Sequence, residues 1–273
     1  MKLATQDKPF YSSEIEQKLL EIKDMGFDAF EIDGAYLIEK FDKVEAAVRN
    51  TSVDISSVCG GYRGWIGDFN EERRMQAISD IENILKRAGS IGAKGIVVPA
   101  AWGMFSLRLP PMVPPRSPEE DRYVLLDSLK RLDNIAGSTG TAIFLEPLNR
   151  YEDHMINTLE TAKQLICDGG FKNVKITADF FHMNIEEKNI AESILKYKEF
   201  IGHVHIADSH RYQPGDGHLD FVEGFRALLD IDYKGYMAFE CRVLGENPAE
   251  EYKKSVEYIK ECIARARWSK CKN

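Results

Sequence analysis

The chain has 273 residues, 44% hydrophobic and 29% charged, with a formal net charge of −8; that length suits one eightfold α/β barrel of roughly 250 residues and buries a large core. The acidic balance argues against a nucleic-acid partner, which needs a basic footprint. No apolar stretch reaches the roughly 18 residues of a membrane span, and the opening MKLATQD lacks a signal-peptide core, so a cytoplasmic protein without a membrane partner is expected.

Strand patterns fall at 2–5, 29–32, 54–59, 94–100, 141–148, 174–180, 203–207 and 235–242. Between them run amphipathic helical patterns at 14–25, 42–50, 71–90, 118–136, 158–167, 185–200, 221–229 and 248–267. In the segment 71–90, Met75, Ile78, Ile81, Leu85 and Ala88 recur every three or four residues, which marks one buried helical face. Ser117, Pro118, Glu119 and Glu120 read as a helix start. Eight strands in strict alternation with eight helices imply a parallel sheet closed on itself, an α/β fold with a single (β/α)8 TIM barrel over residues 1–273 as one domain. Cys59, Cys167, Cys241, Cys262 and Cys271 are scattered without a CxxC pair, which fits a reducing compartment. Arg265, Arg267, Lys270 and Lys272 make the tail basic, and it reads as a solvated tail.

Two loops are long, 60–70 after the third strand and 101–117 after the fourth. Both leave C-terminal strand ends, so both overhang the face where barrel enzymes keep their chemistry. They carry Tyr62, Trp65, Phe69, Trp102, Met104 and Phe105, which serve either to stack on sugar rings or to pack loops and a dimer interface.

The last four strand patterns each carry a metal-ligand residue type near the C-terminal end: Glu146, Asp179, His205 and Glu240. Any one of these carboxylates alone is better read as a helix cap or ion-pair partner; four on successive strands describe a metal site. One imidazole among carboxylates suits a fairly hard divalent ion, Mn²⁺ first, with Mg²⁺ or Co²⁺ as alternatives. His203 and His205 are read as facing opposite sides of their strand, with His205 alone pointing into the barrel. His182, three residues after Asp179, is placed to donate to a substrate oxygen, and Arg211 to hold a hydroxyl or enolate oxygen; a surface role stays open for both.

The segments LEPLNRYEDHMINT (145–158), ITADFFHMN (176–184), GHVHIADSHRYQPGDGHLDF (202–221) and GYMAFE (235–240) resemble the xylose isomerase-like barrel superfamily and, within it, the keto-sugar epimerases. In CGGYRGWIGDFNEERR (59–74) and KGIVVPAAWGMFSLRLPPM (94–112) the chain is similar to the members acting on 3-keto-glycosides. The resemblance implies Glu146, Asp179, His205 and Glu240 as metal ligands, with Glu146 and Glu240 doubling as the acid/base pair. It implies Glu152, His182 and Arg211 as substrate-binding residues, and a homodimer by analogy. The expected substrate is a small keto-sugar or keto-glycoside, inverted next to its ketone by proton transfer through a cis-enediolate, at C4 for a 3-keto-glycoside. The alternatives are a ketose 3-epimerase of tagatose or psicose type and an aldose–ketose isomerase, the latter needing a second metal for which Asp208 is the available extra carboxylate. The abasic-site endonucleases of the same superfamily use histidines from earlier strands, and none precedes His154 here. A sugar-binding barrel without catalysis predicts metal binding with no turnover.

Overall fold

A computed structural model describes residues 1–107 and 112–270. Part of the loop 101–117 therefore lies outside the described residues, as do Cys271 and Lys272. In chain order the elements are β1 (Lys2–Thr5), α1 (Ile15–Asp24), β2 (Ala29–Ile32), α2 (Gly34–Glu39), α3 (Phe41–Thr51), β3 (Asp54–Cys59), α4 (Glu71–Ser90), β4 (Gly95–Pro99), α5 (Pro118–Thr139), β5 (Ala142–Glu146), α6 (Leu159–Gly169), β6 (Val174–Asp179), α7 (Phe180–Glu186), α8 (Ile190–Lys196), β7 (Ile201–Ile206), α9 (Phe221–Asp230), β8 (Tyr236–Phe239) and α10 (Pro248–Lys270).

Each strand pairs in parallel with the next, and β1 pairs with β8, so the sheet closes as an eight-stranded barrel in sequence order. The strands are short and apolar because helices cover their outer side; all five residues of β4 are buried. Helix α4 buries Ala77, Ile78, Ile81, Ile84, Leu85 and Ala88 along one face, while Met75 is only half-buried. Helix α5 starts as its sequence requires: Ser117 and Glu120 cap one another's amides, with Pro118 at the first helical position.

Two departures from strict alternation bear on the site. Ten helices, not eight, are present among the described residues. The extra helix α2 follows β2 directly, begun by Asp33, whose side chain accepts from the Tyr36 amide. The pattern at 185–200 is divided: Asp179 caps α7, Glu187 is extended, and Asn189 caps a fresh start at α8. Side-chain acceptors at both starts satisfy amides that a continuous helix would have bonded internally.

The loop after β3 lies hard against α2. Gly61 has φ +78, and a Cβ there would stand 2.1 Å from the Ala35 nitrogen. Glycine is therefore required by backbone conformation and by space at once.

Candidate metal centre

Strand register brings four side chains to one point at the C-terminal mouth. Glu146 ends β5, Asp179 ends β6, His205 is the penultimate residue of β7, and Glu240 follows β8 immediately. One ligand atom from each lies within 4.8 Å of all the others. Nδ1 of His205 stands 2.9 Å from Glu146 Oε1, 2.7 Å from Glu240 Oε2 and 3.7 Å from Asp179 Oδ2. Glu146 and Asp179 are fully enclosed, whereas the Glu240 side chain is 22% exposed.

The donor set fits a cation, and the reason lies in the other side of the His205 ring. Its Nε2 is 2.9 Å from Glu31 Oε1, a contact in which the imidazole N–H donates. Nδ1 then presents a lone pair to three carboxylates, which is tolerable only with a proton or a cation between them. In the protein alone a proton takes that place. Burial opposes the charged ring, but Glu31, Glu240 and Glu146 together hold its pKa well above the ordinary value. A divalent ion accepts the same lone pair and carboxylate oxygens without protonating the ring.

Glu31 is one of two site residues that sequence reading missed. It is buried, and its oxygens accept from His205, from His203 at 2.8 Å, from Ser57 at 2.5 Å and from Gln6 at 3.0 Å. Burial works against its charge, but the two imidazoles hold its pKa well below the usual carboxylate range. These bonds also satisfy the neighbouring cluster of Glu31, His203 and His205 without an ion. The reading of His203 and His205 as opposed is overturned: residues two apart on a strand share a face, and both rings point to Glu31. The available signal was the single acid in an otherwise apolar strand, AFEI. Glu31→Gln places an amide donor against one imidazole N–H, so Mn²⁺ affinity measured by equilibrium dialysis is expected to fall about 10–100-fold; wild-type affinity would contradict this role.

Asp179 serves two purposes. Its Oδ1 accepts from the Phe181 and His182 amides as the cap of α7, while Oδ2 faces the site and receives Arg211 Nη1 at 2.5 Å. The other fork of Arg211 reaches Glu240 Oε2 at 2.6 Å. Arg211 has φ +65, uncommon for a residue with a side chain, and its guanidinium lies 4.9 Å from the Phe181 ring centroid. His182 is oriented by Asn149, whose backbone N–H donates to Nδ1 at 3.1 Å, leaving Nε2–H as the free donor. Burial lowers its pKa and keeps the ring neutral. Glu152 accepts from Trp102 Nε1 at 2.9 Å and from Asn149 Nδ2 at 2.8 Å. Asn149, absent from the expected set, thus orients two expected residues.

Glu152, His182 and Arg211 line a cavity of 220 Å³ over Glu146 and Glu240, walled by Tyr62, Trp65 and Trp102. Phe69 and Phe105 do not join it; both pack on His154, at 5.9 and 5.0 Å between centroids. The Cys59 thiol contacts Glu240 Oε1 at 3.9 Å. Asp208 accepts from the amides of Ser209, Gly215 and Leu219 and so organises the loop after β7.

The two glutamates differ in charge state. Burial pushes the Glu146 carboxyl up to about 7. Burial acts the same way on Glu240, but Arg211 and His205 outweigh it and bring its pKa down to about 2.

Comparison with known proteins agrees with this geometry. A family model described as a xylose isomerase-like TIM barrel matches residues 19–262. A 3-dehydro-D-guloside 4-epimerase of Escherichia coli K12 is 50% identical over 262 residues, covering 96% of this chain and all of that protein. The apo crystal structure of a 3-keto-D-glucoside 4-epimerase from E. coli superposes with a TM-score of 0.94 at 50% identity, over 96% of this chain and 100% of the other. A D-psicose 3-epimerase from Clostridium cellulolyticum H10 shares the fold, with a TM-score of 0.82 at 21% identity over 96% of this chain and 99% of the other.

Proposed function

The chain belongs to the xylose isomerase-like TIM barrel family, and from that membership and the geometry of its site we infer a divalent-metal-dependent epimerase that inverts C4 of 3-keto-glycosides. It is a carbohydrate isomerase, and in this reading the whole chain is one domain. The observation that carries it is the meeting of two carboxylates, Glu146 and Glu240, at one imidazole nitrogen beneath a cavity walled by aromatic side chains.

A bound Mn²⁺ or similar ion would be held by Glu146, Asp179, His205 and Glu240 and would supply Lewis-acid polarisation of the ketone, acidifying the neighbouring C–H. The remaining work falls to side chains. Glu240 and Glu146 form the acid/base pair: one takes the C4 proton from its face of the sugar and the other returns one to the opposite face. His182 offers Nε2–H to a substrate oxygen in a fixed orientation. Glu152, fastened by Trp102 and Asn149, offers carboxylate lone pairs to a hydroxyl. Arg211 holds the charge of Asp179 and Glu240 in place before substrate arrives. Asp208, the carboxylate an isomerase would need for a second ion, is committed to three loop amides.

A glycoside is favoured over a free ketose by the space beyond the inner cavity. At 220 Å³ that cavity is smaller than the roughly 300–1,000 Å³ of ordinary small-molecule sites, but Trp102, Glu152, Arg211 and Glu240 also border an adjoining compartment of 760 Å³. Mn²⁺-loaded protein is expected to prefer methyl 3-keto-glucoside over fructose, tagatose and psicose by about 100-fold or more in kcat/KM, because remote contacts contribute to the transition state. Equal or better turnover of a free ketose would move the assignment to the ketose 3-epimerases.

A further inference from the structure

Beyond the 760 Å³ compartment lies a third, of 540 Å³, sharing Gln6, Cys241 and Arg242 with it. Its remaining wall includes Lys8, with Phe10 and Val243 as apolar flanks. Lys8 is only 7% exposed, and its ammonium lies 5.5 Å from the Tyr252 ring centroid. Among the described residues it forms no ion pair. Asp7, beside it, is engaged by Lys18 at 2.5 Å, and Glu240 by Arg211. Burial pushes the Lys8 ammonium down from its ordinary pKa against the weaker pull of nearby acids. Arg242 is exposed, held through its backbone to Arg211 and Tyr212, and its guanidinium likewise forms no ion pair among the described residues.

A buried ammonium without a counter-charge is costly, and the cost is relieved when a ligand brings an anion. Lys8 and Arg242 line one compartment, where the Asp7 carboxylate is already engaged by Lys18, so the two cations favour an anionic group entering it, and Phe10, Val243 and Pro248 suit a short carbon chain. We propose that this outer compartment is an anion-binding subsite for the aglycone, and that the substrate is a 3-keto-glycoside whose short aglycone ends in a carboxylate held between Lys8 and Arg242. The inference rests on the keto-glycoside reading and narrows it.

The test is isothermal titration of the Mn²⁺-loaded protein with carboxymethyl β-glucoside and with methyl β-glucoside, neither of which is oxidised at C3. The carboxymethyl compound should bind about tenfold more tightly, as charge-assisted bonds allow. That advantage should shrink as salt is raised, and largely vanish in Arg242→Gln and in Lys8→Met. The 3-keto forms should show the same order in kcat/KM. Equal binding of the two glucosides, no measurable binding of the carboxymethyl compound, or an advantage that survives both substitutions would overturn the proposal. A Lys8→Met protein with a lower melting temperature and an undiminished carboxylate advantage would also overturn it, assigning Lys8 to the fold alone. If the advantage appears in binding while neither 3-keto form is turned over, the anion subsite stands and the epimerase reading falls.

Discussion

Glu240→Gln is expected to lower the rate of epimerisation by about 10²–10⁴-fold, the usual contribution of a positioned acid or base, while the protein still retains part of its metal. The amide keeps the shape of the side chain and its contact with Arg211 through the carbonyl oxygen, but it cannot accept a proton. The more informative readout is hydrogen exchange. With one carboxylate removed, the survivor can still take the C4 proton from its own face and return one to that face, so exchange with solvent continues without inversion. Glu240→Gln and Glu146→Gln should therefore each wash label out of a different epimer. A near-normal rate in either variant would sink the two-carboxylate scheme, as would exchange from both epimers in both variants.

Asp179→Asn is the second large effect, and it separates metal binding from folding. Asparagine caps a helix about as well as aspartate, so the amides of Phe181 and His182 keep their acceptor and α7 keeps its start. What is lost is the carboxylate charge directed at the site. Mn²⁺ affinity should fall at least about 100-fold, beyond the range expected for an outer partner such as Glu31, and activity should fall with it. The metal-free melting temperature should fall, because the amide nitrogen then faces Arg211 in place of the enclosed ion pair, while the further increase that Mn²⁺ gives the wild type should be lost at the same concentration. A variant that binds Mn²⁺ like the wild type would contradict the placement of Asp179 among the ligands.

The barrel was legible because its evidence repeats: apolar runs at near-constant spacing, each followed by an amphipathic segment, leave little but a closed parallel sheet. The meeting of Glu146, Asp179, His205 and Glu240 was legible for the same reason, since parallel strands carry their C-terminal residues to one face. Glu31 was not, because it sits on β2, far in sequence from the four, and meets them only across the barrel interior. Asn149 was hidden as well: an amide that orients two neighbours looks like any loop asparagine until its partners are placed. The misreading of His203 came from misapplying the two-residue period of a strand. The division at α7 and α8 turned on Asp179 and Asn189 acting as caps inside a pattern that otherwise reads as one amphipathic helix. The aromatic loops were half legible. Their position over the mouth follows from the topology, but the direction of each ring is decided by partners such as His154, which draws Phe69 and Phe105 away from the cavity.

NMR of methyl 3-keto-glucoside with Mn²⁺-loaded protein in D₂O follows the fate of the proton on the carbon beside the ketone. Proton transfer through the solvent-exchanging carboxyls yields the C4 epimer carrying deuterium at C4. Appearance of the epimer with its original C4 hydrogen retained would contradict it.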